Sequence, residues 1–383
     1  MESSDRVAAC SDVRAARRLK DGDELAATQA KVRSLVSGHL LAQRRSRLSA
    51  LLLLAAVVEV AAAVGMAYVA GFSEVRAVLG RWSAPWLAVV VGAIVISFVG
   101  YYWAYRGIYR VEQGPRLRRR QMIAVVTGGF GGFLAHGGSA LDDYALRAAG
   151  ADERDARNRV SALAGMEHGV LAVIGTVAGI VVLAEGRGAP PADFSLPWAV
   201  IPIPGFALAF WLAERYREKF HGRPGWRGNV GVFLDSIHLN RELFLRPQEH
   251  GPAVLGMLVF WLTDAFAMWA SLEAFGFTMN AAALFIGYAT GMVFTRRTGP
   301  LGGAGILMVV LPVTIWYSGG AMPLATAVVG VFVYRVVTLW LPMPFAFASL
   351  PTLRDMGEPG TPGAEDAASS DEPALGHHGR GEQ

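Results

Sequence analysis

Residues 84–105 read APWLAVVVGAIVISFVGYYWAY, a run without one charged side chain. As an α-helix rising 1.5 Å per residue, this stretch covers the roughly 30 Å hydrocarbon core of a bilayer. Comparable apolar runs lie at about 48–70, 163–184, 195–213, 252–275, 279–295, 304–318 and 323–347. A weaker one, 122–138 (MIAVVTGGFGGFLAHGG), is broken by glycines. Over all 383 residues, 53% are apolar and 17% charged, against about 25% charged in a soluble domain. A soluble enzyme is excluded. The sequence predicts an all-α, polytopic membrane helix bundle of about eight crossings, with one or more re-entrant, glycine-broken hairpins.

Charge placement predicts the orientation. Basic residues concentrate on the cytoplasmic side of a membrane protein. With the N-terminus inside and 122–138 dipping in and returning, 31 Lys/Arg fall inside, against Arg76, Arg81 and Arg187 outside. If 122–138 crossed, the seven basic residues of 214–250 would face outward. The expected location is the cell membrane, multi-pass, with both termini cytoplasmic. Residues 1–47, with 10 basic and 6 acidic side chains, form a basic cytoplasmic segment. They are too long and polar for a signal peptide's n-region, so the first span is read as retained. Residues 48–348 form the transmembrane domain. Residues 349–383, rich in Pro, Gly and acid, read as a disordered cytoplasmic tail, with His377 and His378 as solvated residues in it. The net charge of +4 does not imply nucleic acid, because the basic residues are scattered between spans and form no single patch. One cysteine, Cys10, leaves no disulfide framework and no cysteine metal site.

Four ionisable residues fall within apolar spans: Glu59, Glu167, Asp264 and Arg335, with His168 beside Glu167. A charge at mid-bilayer costs roughly 2.5–3.5 kcal/mol on insertion scales, so each implies a partner or a task. Asp264 and Arg335 lie near the middle of their spans, at similar depth. Their pairing would lock two helices, or one or both would meet a polar head group in a wet cavity. Glu59 reads as a packing residue. Two glycine-rich breaks supply the second signal. Thr127–Gly138 (TGGFGGFLAHGG) contains His136, Gly137 and Gly138; Thr298–Gly305 (TGPLGGAG) contains Gly302 and Gly303 and follows Arg296 and Arg297. Irregular backbone at membrane depth survives only inside protein or along a polar cavity. Breaks in corresponding places of two halves mark a midplane transport site and an inverted repeat; the competing explanation is close helix packing through small residues.

Between the spans, 139–162 reads as an interfacial helix with Leu141, Ala145, Ala148 and Ala149 on its apolar stripe. Asp142, Asp143, Arg147, Arg154, Arg157 and Arg159 are expected to face water, Asp143 or Arg147 being the candidates to guard an entrance. Residues 226–246 read as an amphipathic cytoplasmic helix, with His238 as ordinary surface polarity. No Walker A, G-x-S-x-G or H-E-x-x-H pattern occurs, so no catalytic residue, metal or cofactor is expected and the chain is read as a non-enzyme.

The block 128–170, a glycine-rich break followed by a polar helix and a Glu opening the next span, resembles the first signature of the lysylphosphatidylglycerol synthase transmembrane (flippase-like) family. The block 299–344 is similar to that family's C-terminal signature, ending in Tyr334, Arg335, Thr338, Trp340 and Pro342. Met308 stands where many members carry a Glu. The residues after the last span leave no room for a cytoplasmic lysyl-transferase domain, so the resemblance implies only the membrane module, one associated with moving a lipid between leaflets. The expected partner is then a membrane lipid, anionic by its match to Arg335, Arg296 and Arg297. The alternative is a non-transporting partner or scaffold for an enzyme of envelope lipid or glycan assembly. A second copy of the chain stays open as a partner. The substrate-binding set comprises Arg335, Asp264, Glu167, His168, His136, Gly137, Gly138, Arg296, Arg297, Gly302, Gly303 and Tyr334.

Overall fold

A computed structural model describes residue 54 and residues 56–111, 114–132, 137–186, 190–223, 225–295 and 305–356. Among them every regular element is helical. In chain order these are α1 (Ala56–Ala70), α2 (Phe72–Leu79), α3 (Ala84–Arg110), α4 (Arg119–Gly132), α5 (Gly137–Ala148), α6 (Glu153–Glu185), α7 (Ala192–Val200) and α8 (Pro202–Phe220). They continue as α9 (Trp226–Leu245), α10 (Pro247–Glu273), α11 (Ala281–Thr295), α12 (Leu307–Ser318), α13 (Leu324–Arg335), a π-helical turn (Val336–Trp340), α14 (Met343–Ala348) and α15 (Leu350–Asp355).

Five segments are long and apolar enough to cross a membrane: α3, α6, α7 with α8, α10, and Leu324–Leu353. The pair α1 and α2, bent by 103° at Gly71, whose φ of 88° suits glycine, is either a sixth, broken span or a re-entrant loop. The count of eight is not confirmed among the described residues, where α11 and α12, read from sequence as crossings, have 15 and 12 residues. Each covers less than the bilayer core. The packing is that of a membrane protein. Val91, Val95 and Ile96 of α3, Val177 and Ile180 of α6, and Ile203 and Trp211 of α8 stand exposed. Continuous apolar surface of this kind suits lipid and not water.

The interior is joined by small residues. A Cβ on Gly100 would lie 2.6 Å from Gly256 O, and one on Gly256 would lie 2.6 Å from Gly100 O. Gly107 meets Ala253 as closely. The α3 and α10 backbones touch because neither carries a side chain there, so small-residue packing holds for this pair. α6 is punctuated at both ends. Asp152 accepts from the backbone N–H of Arg154 and Asp155, each at 2.8 Å, and Gly186 closes the helix in the left-handed region at φ 60°. At 33 residues, α6 exceeds a bilayer's thickness, which frees its charged first turns to stand outside.

Two expectations need correction here. Arg159, expected to face water, is 3% exposed. Its Nη1 donates to the carbonyls of Ile108, Tyr109 and Val111 at 3.1, 3.1 and 2.8 Å, and its Nε to Asp155 at 2.8 Å. It gives the carbonyls at and just beyond the end of α3 a charged donor, in addition to the backbone N–H groups of Val111 and Gly114 that bond Ile108 O and Val111 O. The segment after 348, expected to be disordered from its first residue, begins ordered. Ser349 hydrogen-bonds Thr127 (2.7 Å), Tyr144 donates to Leu353 O (3.3 Å), and Leu353 is buried against α4. Residues 1–47 and 357–383, the latter holding His377 and His378, lie outside the described residues.

Candidate functional site

A row of buried acid and tyrosine side chains runs through the bundle. On α3, Tyr101, Tyr105 and Tyr109 recur every four residues and so share one face. Their rings touch in sequence, with centroids 4.8 and 5.3 Å apart. Tyr101 donates to Glu167 of α6, and Tyr105 donates to Asp142 of α5 at 2.9 Å. The aromatic contact continues from Tyr101 to Phe260 (4.7 Å), Trp261 (4.9 Å from Phe260) and Tyr288 (6.1 Å from Trp261). Trp261 Nε1 also donates to the Glu167 carbonyl at 2.8 Å. Asp264 then accepts from Tyr288 and, at 2.6 Å, from Tyr334. One residue on, Arg335 Nε donates to Glu59 of α1 at 3.0 Å. Glu59, Glu167 and Asp264 are 4–6% exposed, so they are held by hydrogen bonds where water has little access.

Arg335 closes α13, and the helix continues through the π-helical turn 336–340. Such turns widen the helix and recur at functional positions. The sequence considered Arg335 paired with Asp264; the structure shows Arg335 Nε donating to Glu59 and Asp264 accepting from two tyrosine hydroxyls. Glu59, read from sequence as a packing residue, is thus a buried carboxylate paired with the partly buried Arg335. Its second oxygen, Oε2, is buried without a hydrogen bond among the described residues, an acceptor open to a further donor.

Of the other residues singled out, His168 sits beside Glu167 with Nδ1 2.7 Å from Ala164 O, a bond within its own helix. Gly137 and Gly138 open α5. His136, Arg296, Arg297, Gly302 and Gly303 lie outside the described residues. Asp142 was misread: it is 4% exposed, because it shares the inner face of α5 with the fully buried Ala145 and Leu146 three and four positions on. Burial pushes its carboxyl up to about 8, the Tyr105 hydrogen bond opposing and the Glu167 carboxyl adding. Sequence reading also passed over the tyrosines. Their spacing of four on an otherwise apolar helix was the available signal.

A separate groove of about 540 Å³ lies between α5, α6 and α9, with Asp143, Arg147 and Arg157 on its walls. Arg154 donates to Asp235 at 2.7 Å, tying α6 to α9 beside it. Asn240 of α9 packs against Gly165 of α6 where a Cβ would overlap it. α9 itself is amphipathic as expected, burying Leu234, Leu239 and Leu243. Among the described residues, no group of three or more His, Cys, Asp or Glu is placed to hold a metal.

No family model matches the chain, and no curated protein matches it.

Proposed function

We propose that this chain is a multi-pass lipid-handling protein of the cell membrane that engages a phosphate-bearing head group in its interior and passes it between leaflets. The observation that carries this reading is the buried polar row within a bundle whose outer faces are apolar. A polar cargo gives such a row a task beyond packing, since charged groups in a membrane interior mark substrate and ion pathways. A guanidinium suits a phosphate, its planar fork donating two parallel hydrogen bonds, and Arg335 borders the π-helical turn. The resemblance of blocks 128–170 and 299–344 to flippase-like proteins points the same way.

Two short-helix pairs fit the same scheme. α4 precedes and α5 follows residues 133–136, and α11 precedes and α12 follows 296–304, which lie outside the described residues. Whether α11 and α12 cross or turn back, they change the number of crossings by an even number, so both termini stay on the basic, cytoplasmic side. The test is exchange of fluorescent phospholipid between leaflets of vesicles containing the purified protein. Wild type is expected to accelerate exchange, and Arg335→Lys, which keeps the charge and loses the fork, to slow it at unchanged melting temperature. Exchange at wild-type rate in folded Arg335→Lys and Arg335→Ala proteins would remove Arg335 from the path. Wild-type protein that leaves exchange at the protein-free rate, while binding an envelope-assembly enzyme, would favour the scaffold reading.

A further inference from the structure

We infer that Asp142 is a reversible proton-binding site, reached from the basic end of α3, and that this protein moves a proton and its lipid cargo in the same direction. The site stands on its own geometry; its use in transport rests on the lipid-handling reading above and adds what drives it.

Asp142 is buried, and its two oxygens are placed differently. Oδ2 accepts from Tyr105 at 2.9 Å. Oδ1 has no hydrogen bond among the described residues, and neither has the buried hydroxyl of Tyr109, which lies within electrostatic reach of Asp142. A hydroxyl both donates and accepts, whereas a carboxyl oxygen accepts when ionised and donates when protonated. By turning its hydroxyl, Tyr109 can therefore serve Oδ1 in either state with no helix displaced. A purely structural acid needs one state only.

The neighbours of Asp142 favour proton exchange over a fixed ion pair. Tyr105 and Tyr109 of α3 and Glu167 of α6 face it. α4, which also packs on α5, carries charge only at Arg119 and Arg120 in its exposed first turn. On α5 itself, Asp143 and Arg147 pair with each other. Arg159 of α6, beside Tyr109, is committed to Asp155 and the carbonyls at the end of α3. Asp142 is left with tyrosines and a second carboxylate, and both burial and Glu167 raise the cost of its charge. From Tyr109, next to the exposed Arg110, the tyrosines lead eight residues along α3, about 12 Å, to Tyr101 and Glu167. Beyond Tyr101 the ring contact passes to Phe260, which carries no exchangeable proton. A row that stops inside the bundle holds a proton without leaking it across the bilayer, and buried acids are the groups that relay protons in transporters.

Coupling follows from charge. An ionised Asp142 beside Glu167 opposes an anionic phosphate brought into the row; a proton taken from water onto Oδ1 removes that charge. Proton and phosphate are therefore admitted together and released together.

Two measurements on the full chain test this. In the first, an indicator dye counts protons released by the purified protein in weakly buffered detergent between about pH 6 and pH 10, a range that brackets the Asp142 value of about 8. Wild type is expected to release one proton more than Asp142→Asn, which keeps the shape of the protonated carboxyl. Tyr105→Phe is expected to shift that release to higher pH, because the Tyr105 hydrogen bond opposes the effect of burial. Equal release by wild type and folded Asp142→Asn overturns the site, as does an unmoved release in Tyr105→Phe. In the second, vesicles carrying tail-labelled phosphatidylserine are given an acid interior or an acid exterior. Wild type is expected to enrich the label in the leaflet on the alkaline side under either gradient and to lose that enrichment on adding a protonophore. Asp142→Asn is expected to give none. Wild-type exchange that is accelerated but equal in both directions overturns the coupling and leaves the lipid reading standing, as does equal enrichment by Asp142→Asn for the part assigned to Asp142. Exchange at the protein-free rate, with the proton count intact, sinks the lipid reading and leaves the proton site standing.

Discussion

At the scale of single residues, the molecule shows how burial sets the role of a charge. Arg159 is buried and Arg335 partly buried; Arg159 spends Nη1 on carbonyls at the end of α3 and Nε on Asp155, whereas Arg335 Nε meets the buried Glu59. Asp142 is buried against Tyr105, with Tyr109 and Glu167 within electrostatic reach. Its carboxyl titrates near 8 against an ordinary 3.8, so the fold binds a proton that the unfolded chain releases. Stability from this group is full below the unfolded value and declines as pH rises through the folded one. Melting temperature in detergent is therefore expected to fall between about pH 4 and pH 8, and Asp142→Asn to flatten that fall. A wild-type profile already flat over this range would refute the assignment. Asp142 was not legible in the sequence, because Asp143 beside it and Arg147 beyond it are truly at the surface and disguise the buried face of α5. Nor was the Glu59–Arg335 pair, whose partners lie 276 residues apart. Periodicity says which face of a helix is apolar, not which helix it will meet.

At the scale of elements, α3, α6 and α10 could be read directly, since long charge-free runs have few other uses. Their contact could not, although the glycines that permit it were visible. Gly100 and Gly256 approach too closely for any side chain, so Gly256→Leu is expected to cost at least the 1–3 kcal/mol of ordinary overpacking, with Gly65→Leu, which meets nothing within 4 Å, as the silent control. Thermal melts of the two variants decide it; equal melting temperatures would contradict the close approach. The short helix α15 escaped sequence reading because Pro and polar residues surround one useful anchor, Leu353. Ending the chain after Met356 is expected to leave the melt unchanged. Ending it before Leu350 removes Leu353 from its site on α4 and is expected to lower stability by roughly the 1.5–3 kcal/mol of one buried leucine.

At the scale of the whole molecule, the proposed site would lie between two related halves, one running from the bent pair α1 and α2 to α6, the other from the unbroken segment of α7 and α8 to α13. The reciprocal contact of Gly100 with Gly256 would then join a helix of each half. An odd number of crossings per half would invert the second, the arrangement in which transporters place a site between repeats. The polar row follows that seam, from Tyr101 and Glu167 to Asp264 and Tyr334, and ends at Arg335.

Whether that row carries lipid or only locks helices is decided by leaflet exchange in the double variant Glu59→Gln, Arg335→Gln. Arg335→Gln alone leaves Glu59 buried without its cation, a loss of about 3–5 kcal/mol that confounds the single variant. Removing both charges relieves that burden and restores a folded bundle. If the arginine handles the head group, the folded double variant moves lipid no faster than protein-free vesicles. Exchange at the wild-type rate in that variant would reduce the pair to a structural lock and contradict the account.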